Sequence, residues 1–154
     1  MKKNLTGALA LAVLAASPAW AALGGAPTYH GLRTVPDQRV MAAGKGAAAA
    51  YTVSTATLAN GTVVREYLDA KGVVFGVAWN GPSMGSLQSL LGSYFPAWQQ
   101  GLANARATRG GGAGPVSMHA DDLVVESGGH MGALVGRAWL PRALPQGVSA
   151  DQIR

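Results

Sequence analysis

Residues 72–102, GVVFGVAWNGPSMGSLQSLLGSYFPAWQQGL, hold most of the large apolar side chains of this 154-residue chain and its one clear passage from strand to helix. Side chains alternate faces along a strand, so Val73, Phe75, Val77 and Trp79 form a bulky face, with Val74, Gly76 and Ala78 on a flatter one. The bulky face is predicted to be core. Neither face carries a charge, which predicts a central strand covered in part on both sides. Asn80-Gly81-Pro82 ends the strand, and Ser83 or Ser86 can cap the helix that follows by accepting a first-turn N–H. Leu87, Leu90, Leu91, Tyr94, Phe95 and Trp98 recur at spacings of three and four, the apolar stripe of a helix lying on the sheet. Pro96 removes a ladder hydrogen bond and crowds the carbonyl of Gly92, which predicts a kink or break there.

Working outward, residues 51–58 and 62–69 are rich in Thr, Val and aromatic side chains and flank Asn60-Gly61, a strong two-residue hairpin signal. Lys71-Gly72 then leads into the third strand. Turns this short force antiparallel neighbours, because a parallel crossover needs a dozen or more residues. Downstream, residues 116–127 and 130–140 flank Gly128-Gly129, whose access to positive φ predicts a second hairpin. Ser149, three residues before Gln152, signals a last helical turn. Residues 106–115, with four glycines, read as a loop. Residues 22–50 show little periodicity and read as a flexible N-terminal arm. The expected architecture is therefore one α+β domain over 51–154: an antiparallel sheet of about five strands, a meander plus a second hairpin, with one kinked helix packed on one face.

Phe75-Gly76-Val77-Ala78-Trp79 and Val135-Gly136-Arg137-Ala138-Trp139 share a pattern of apolar residue, Gly, variable residue, Ala, Trp. The two strands are expected to occupy equivalent, adjacent places in one sheet, with both Trp side chains on the same face. Arg137 then stands where the other strand has Val77. A cation among apolar neighbours needs a carboxylate or an aromatic face to offset its desolvation. Glu66, Glu126 and Asp122 are the candidate carboxylates, and Trp139 or Trp79 the candidate ring.

The first residues suggest a destination. Lys2 and Lys3 precede an apolar run that stops at Ser17-Pro18, and Ala19-Trp20-Ala21 is a small-x-small cleavage site, the pattern of a secretory signal peptide over residues 1–21 cleaved after Ala21. The run is shorter than the roughly 20 apolar residues of a membrane span. The expected location is the periplasm or beyond, with no stable membrane span after cleavage. The whole chain carries a net charge of +5; with Lys2 and Lys3 removed, ten basic residues remain against seven acidic ones, giving +3. These are scattered singly, without the clustered basic face of a nucleic-acid groove. Cysteine is absent, which excludes disulfides, thiol catalysis and thiolate metal sites.

Three motifs invite a chemical reading. Gly81-Pro82-Ser83-Met84-Gly85 matches the nucleophile-elbow pattern and precedes Asp121, Asp122 and His130 in the right order. Such an elbow, however, sits on a parallel sheet with an upstream glycine-rich oxyanion loop, and this chain offers hairpins instead. Capping accounts for Ser83 more simply. His119, Asp121, Asp122 and His130 lack the spacing of a metal ligand pair. The runs Gly110-Gly111-Gly112 and Gly128-Gly129 are not followed by the Lys and Ser or Thr of a phosphate loop. No catalytic residue, metal site or cofactor is expected.

Several stretches resemble a known family: Ala22-Leu23-Gly24-Gly25 after the leader, residues 58–67 (LANGTVVREY), Val77-Ala78-Trp79 with Gly81-Pro82, and 123–131 (LVVESGGHM) through 137–141 (RAWLP). They look like an uncharacterised family of small exported Gram-negative proteins, the domain of unknown function 2844. The resemblance implies export and a single domain, and brings no activity or ligand with it. The expected function is a non-enzymatic envelope protein that binds a protein partner or a small apolar ligand, with Arg137, Trp139, Trp79 and His130 as candidate binding residues. Aromatic side chains such as Trp98, which one helix would leave partly uncovered, motivate that reading. The alternative is a small hydrolase using Ser83 or the His119/His130 hairpin.

Overall fold

The computed structural model describes residues 23–29, 35–41, 49–83, 86–109 and 115–154; residues 1–21, read above as a signal peptide, much of the alanine run, Met84-Gly85 and residues 110–114, read above as part of a loop, lie outside them. Among the described residues seven strands form one antiparallel sheet: β1 (Val35–Met41), β2 (Ala49–Thr57), β3 (Val63–Leu68), β4 (Val74–Gly81), β5 (Val116–His119), β6 (Val124–His130) and β7 (Ala133–Trp139). Their order is β1-β2-β3-β4-β7-β6-β5. The first four make a meander, two helices carry the chain across one face to the far edge, and the last three return until β7 pairs with β4.

Short turns with glycine at positive φ build both meanders. Gly61 (φ 84°) and Gly72 (φ 80°) close two turns of the same kind, donating to the carbonyls of Leu58 (2.9 Å) and Asp69 (3.0 Å). Each loop is three residues long with its glycine last, so the Asn60-Gly61 hairpin is one residue wider than its sequence signal suggested. In the second meander Ala120 N donates to Leu123 O across Asp121-Asp122, dividing 116–127 into β5 and β6. The turn into β7 falls at Met131-Gly132, not at Gly128-Gly129, because His130 pairs with Ala133 and both glycines are consumed in pairing with Val135 and Leu134.

The segment read as a loose arm, 22–50, contacts the sheet in two places. Leu23 is buried, with its N–H on Leu90 O (3.0 Å), and Gly24 and Gly25 exchange main-chain bonds with Val74 (2.7 and 2.8 Å). Val35–Met41 forms edge strand β1 against β2, with two irregularities in its register. Those irregularities, and Pro36 within the strand, are why no period-2 pattern marks it.

The helical stretch breaks where Gly92 and Pro96 predict. α1 (Leu87–Leu91) is capped by Ser86, whose hydroxyl accepts from Ser89 N, and ends at Gly92 (φ 52°). A 3-10 turn follows, and α2 (Phe95–Arg109) begins with Pro96 in its first turn, where no N–H is required. Leu90, Leu91 and Trp98 pack on Val64, Val77, Trp79, Val125 and Ala138 to form the helix-side core.

Phe75 is not part of that core. The β3–β4 register slips by one between Tyr67 and Leu68, so Leu68 pairs with Val74 while Tyr67 pairs with Gly76. Phe75 is the extra residue of a bulge. It joins Tyr51, Tyr67, Val124 and Trp139 on the opposite face, under a cover of Val148 and Ile153 from the C-terminal tail. The sheet is therefore buried on both faces at this level, as the uncharged strand required.

Trp79 and Trp139 also part company. Trp79 pairs with Gly136 and Trp139 with Gly76, so each Trp lies opposite the glycine of the other strand. Trp follows Gly by three positions in both copies, an odd step that changes face. The strands are adjacent, as expected, but Trp79 faces the helices and Trp139 the tail. This overturns their equivalence.

Candidate functional site

On the tail side, the register aligns side chains from β2 to β5 into three rows running across the strands. The first row holds Tyr67, Gly76, Trp139 and Val124, and lies under the tail. The second is Thr55, Arg65, Ala78, Arg137, Glu126 and Ser117. The third contains Val63, Asn80, Val135 and Gly128, with Pro115 beside Ser127's partner Val116. Bulk falls from row to row, and the tail stops at the second. A groove of about 500 Å³ opens between the second and third rows, floored by main chain of the intervening positions such as Gly136 and Ser127.

Arg137 closes the covered half of this face. Its Nε and Nη2 both donate to Glu126 Oε2 at 2.8 Å, and Nη1 reaches the carbonyls of Ala150 (3.2 Å) and Ile153 (3.3 Å). Its guanidinium carbon stands 5.1 Å from the centre of the Trp139 ring. One of the three candidate carboxylates and one of the two candidate rings thus meet the cation. Tyr67 reinforces the latch: its hydroxyl accepts from Arg154 N (2.9 Å) and donates to Arg154 O (2.8 Å). The tail in turn drives Ile153 into the space that the missing side chain of Gly76 leaves, where a β-carbon would come within 2.7 Å of Ile153 Cδ1.

The remaining carboxylate oxygen of Glu126 faces His119 Nε2 at 3.4 Å, and the same nitrogen lies 2.7 Å from Ser117 Oγ. A catalytic relay needs the acid on one ring nitrogen and the hydroxyl on the other. Here both share Nε2, so this cluster orients polar groups at the rim without relay geometry.

Of the four candidate binding residues, Arg137 and Trp139 come together. Trp79 borders the groove, but its ring is on the helix side and buried. His130 is exposed at the end of β6, with Nδ1 3.1 Å from Met131 O. Ser83 is exposed beyond β4, and its carbonyl accepts from the Thr62 hydroxyl. His119 is level with Gly76, five residues back along β4 from Gly81, and His130 is two strands away, roughly 9–10 Å at the usual strand spacing. Asp121 pairs with Arg142 at 3.8 Å, and among the described residues no three potential ligands converge on a metal position.

Trp79, Trp98 and Trp139 are all buried. The exposed-aromatic ground for a binding role therefore falls away, and the groove takes its place. Sequence reading missed Arg65, Asn80, Ser117, Gly128 and Arg154, all of which line it. The alternation of 63–67 contained part of the signal, since Arg65 is the one charged residue between Val63 and Tyr67 on their shared face.

No curated protein and no solved structure matches this chain. One protein family does, over residues 19–153, nearly the whole length. This chain belongs to the family described as protein of unknown function (DUF2844).

Proposed function

We propose that this protein is an exported envelope component that binds a small ligand with an apolar body in the tail-side groove, without turning it over. The observation that carries the reading is the change from Trp139 to Val135 along β7 where the tail ends, which leaves Val135 43% exposed in the middle of the sheet. Concave sites of some hundreds of cubic ångströms, with an apolar floor and a few polar groups at the rim, are the usual shape of small-molecule sites. Export rests on the basic start, apolar run and Ala19-Trp20-Ala21 of the leader. A hydrolase on Ser83 or the His119 hairpin has less support, because Ser117 and Glu126 meet His119 at the same ring nitrogen and Ser83 lies far from His119 along the sheet.

Gly128 supplies the test. A β-carbon there would meet only Pro115 Cβ, at 3.9 Å, so Gly128→Leu projects into the groove without disturbing the sheet. The mature protein should enhance the fluorescence of an environment-sensitive apolar dye, and Gly128→Leu should abolish that signal at unchanged melting temperature. An equal signal from both proteins would refute the groove, and capture of a protein partner that ignores Gly128→Leu would assign binding to another surface.

A further inference from the structure

We infer that the ligand is a single-tailed anionic amphiphile, a carboxylate on a medium-length alkyl chain, with its acid group at Arg65 and Arg154 and its chain across the floor toward Gly128. The inference rests on the groove being a binding site and adds the chemistry of its occupant. Three guanidinium groups and one carboxylate are carried by the side chains that line it. The carboxylate, Glu126, is committed to Arg137 and approached by His119. Arg137 is committed as well, with Nε and Nη2 on Glu126 and Nη1 on two tail carbonyls.

Arg65 and Arg154 are differently placed. Arg65 gives one long hydrogen bond, Nη1 to Arg154 O at 3.5 Å, which leaves most of its five N–H donors for an anion. Arg154 is exposed beside it. Both stand at the β3 end of the groove, around the Arg154 main-chain oxygen, and the rest of the lining carries no unpaired charge: Glu126 and Arg137 offset each other, Asn80, Ser117 and Ser127 are neutral, and Val135, Gly136 and Gly128 are apolar. A planar guanidinium binds a carboxylate through paired N–H donors and a neutral hydroxyl far less well. From β3 to β6 is three strand spacings, about 14 Å, which suits an extended chain on the order of ten carbons.

Calorimetric titration of the mature protein with decanoate, decanol and decyltrimethylammonium, each below its aggregation threshold, tests this. Decanoate should bind about tenfold or more tightly than decanol, and decyltrimethylammonium most weakly. Arg65→Gln should weaken decanoate about tenfold and leave decanol unchanged. Gly128→Leu should abolish both. Equal affinity for decanoate and decanol, or indifference of decanoate to Arg65→Gln, overturns the anionic assignment while the groove stands if Gly128→Leu still blocks binding. If no amphiphile binds but the dye still reports a groove closed by Gly128→Leu, the ligand class falls alone. If the dye fails too, both readings fall.

Discussion

The indole of Trp79 lies over Gly136 of the neighbouring strand, so close that a β-carbon at position 136 would fall 2.5 Å from Trp79 Cε2 and nearer still to Cζ2. Trp79 is 2% exposed and packed in the helix-side core. Gly136→Ala should therefore force the ring or the β4–β7 ladder to move, at about 3 kcal/mol or more. Gly128→Ala, on the neighbouring strand opposite Val135 and facing open space, should change stability by less than about 0.5 kcal/mol. Urea unfolding of the two variants checks the contrast, and similar midpoints would mean that the ring moves aside freely.

Arg137 and Glu126 hold the tail rather than a free ligand. The two side chains are 28% and 32% exposed, so solvent screens their attraction, and removing the pair costs less than its short distances suggest. Arg137→Met also forfeits the bonds to the Ala150 and Ile153 carbonyls, and we expect a loss of about 2 kcal/mol. Glu126→Gln should cost about 1 kcal/mol, and the double variant less than the sum of the two. Limited proteolysis should cut within 144–152 sooner in Arg137→Met; an unchanged cleavage rate there would remove the latch.

Ile153 is fully buried against Gly76 and the aromatic row. Ile153→Ala should cost about 3 kcal/mol, the range for emptying a core site, and loosen the cover over Tyr51, Tyr67 and Phe75. Those rings meet edge-on or tilted with centroids 5.8–6.3 Å apart, so near-ultraviolet circular dichroism should report the loosening. A variant with full stability and an unaltered aromatic spectrum would show that the tail is not part of the core.

Local chemistry announced the first two turns, the helix break, one of two candidate caps in Ser86, and the needs of Arg137, because each depends on residues a few positions apart; it misplaced the turn into β7 by three residues. Register was less legible. Whether Trp79 and Trp139 share a face depends on which residue of β4 meets which of β7, and pairing Gly76 with Trp139 follows from both whole meanders rather than from either motif. The slip at Tyr67/Leu68 moved Phe75 by one position and so to the other face. The groove needed both results, since its rows exist only once six strands are in register. The tail was read as a last turn, and Ser149 does accept from Asp151 N. Its role as cover was hidden because Val148 and Ile153 are only two apolar residues without a period.

Alkaline conditions should weaken the fold. Burial first, and then the neighbouring Tyr67, raise the Tyr51 hydroxyl above 10.0, partly offset by Arg154; burial and the Glu66 carboxylate raise Tyr29 likewise. A raised native value means that the folded chain keeps its proton where the unfolded chain has lost it. This contribution is fully present below pH about 10 and is lost as pH climbs from there through the native value. Stability measured by urea at pH 8, 9, 10 and 11 should hold steady and then drop, and Tyr51→Phe should shrink the drop. The same fall in Tyr51→Phe as in the parent would mean that other groups cause it.

Cleavage after Ala21 would leave Leu23 as the second residue of the mature chain, and Leu23 is 2% exposed in the helix-side core. Its N–H bonds Leu90 O, and the next two residues bond Val74, so the start of the chain closes the gap between α1 and β4. Beyond it, Thr28 N and Tyr29 N donate to the buried Glu66 carboxylate at 2.7 and 3.4 Å. Removing residues 22–25 should strip a Leu from the core together with three main-chain hydrogen bonds, for a loss of about 3 kcal/mol. A chain beginning at Ala22 should be as stable as one with extra residues ahead of it. Terminal sequencing of the protein from a periplasmic extract should read Ala22-Leu23-Gly24. A mature form starting downstream of Leu23 would mean that this anchor is dispensable and that the leader is longer than 21 residues.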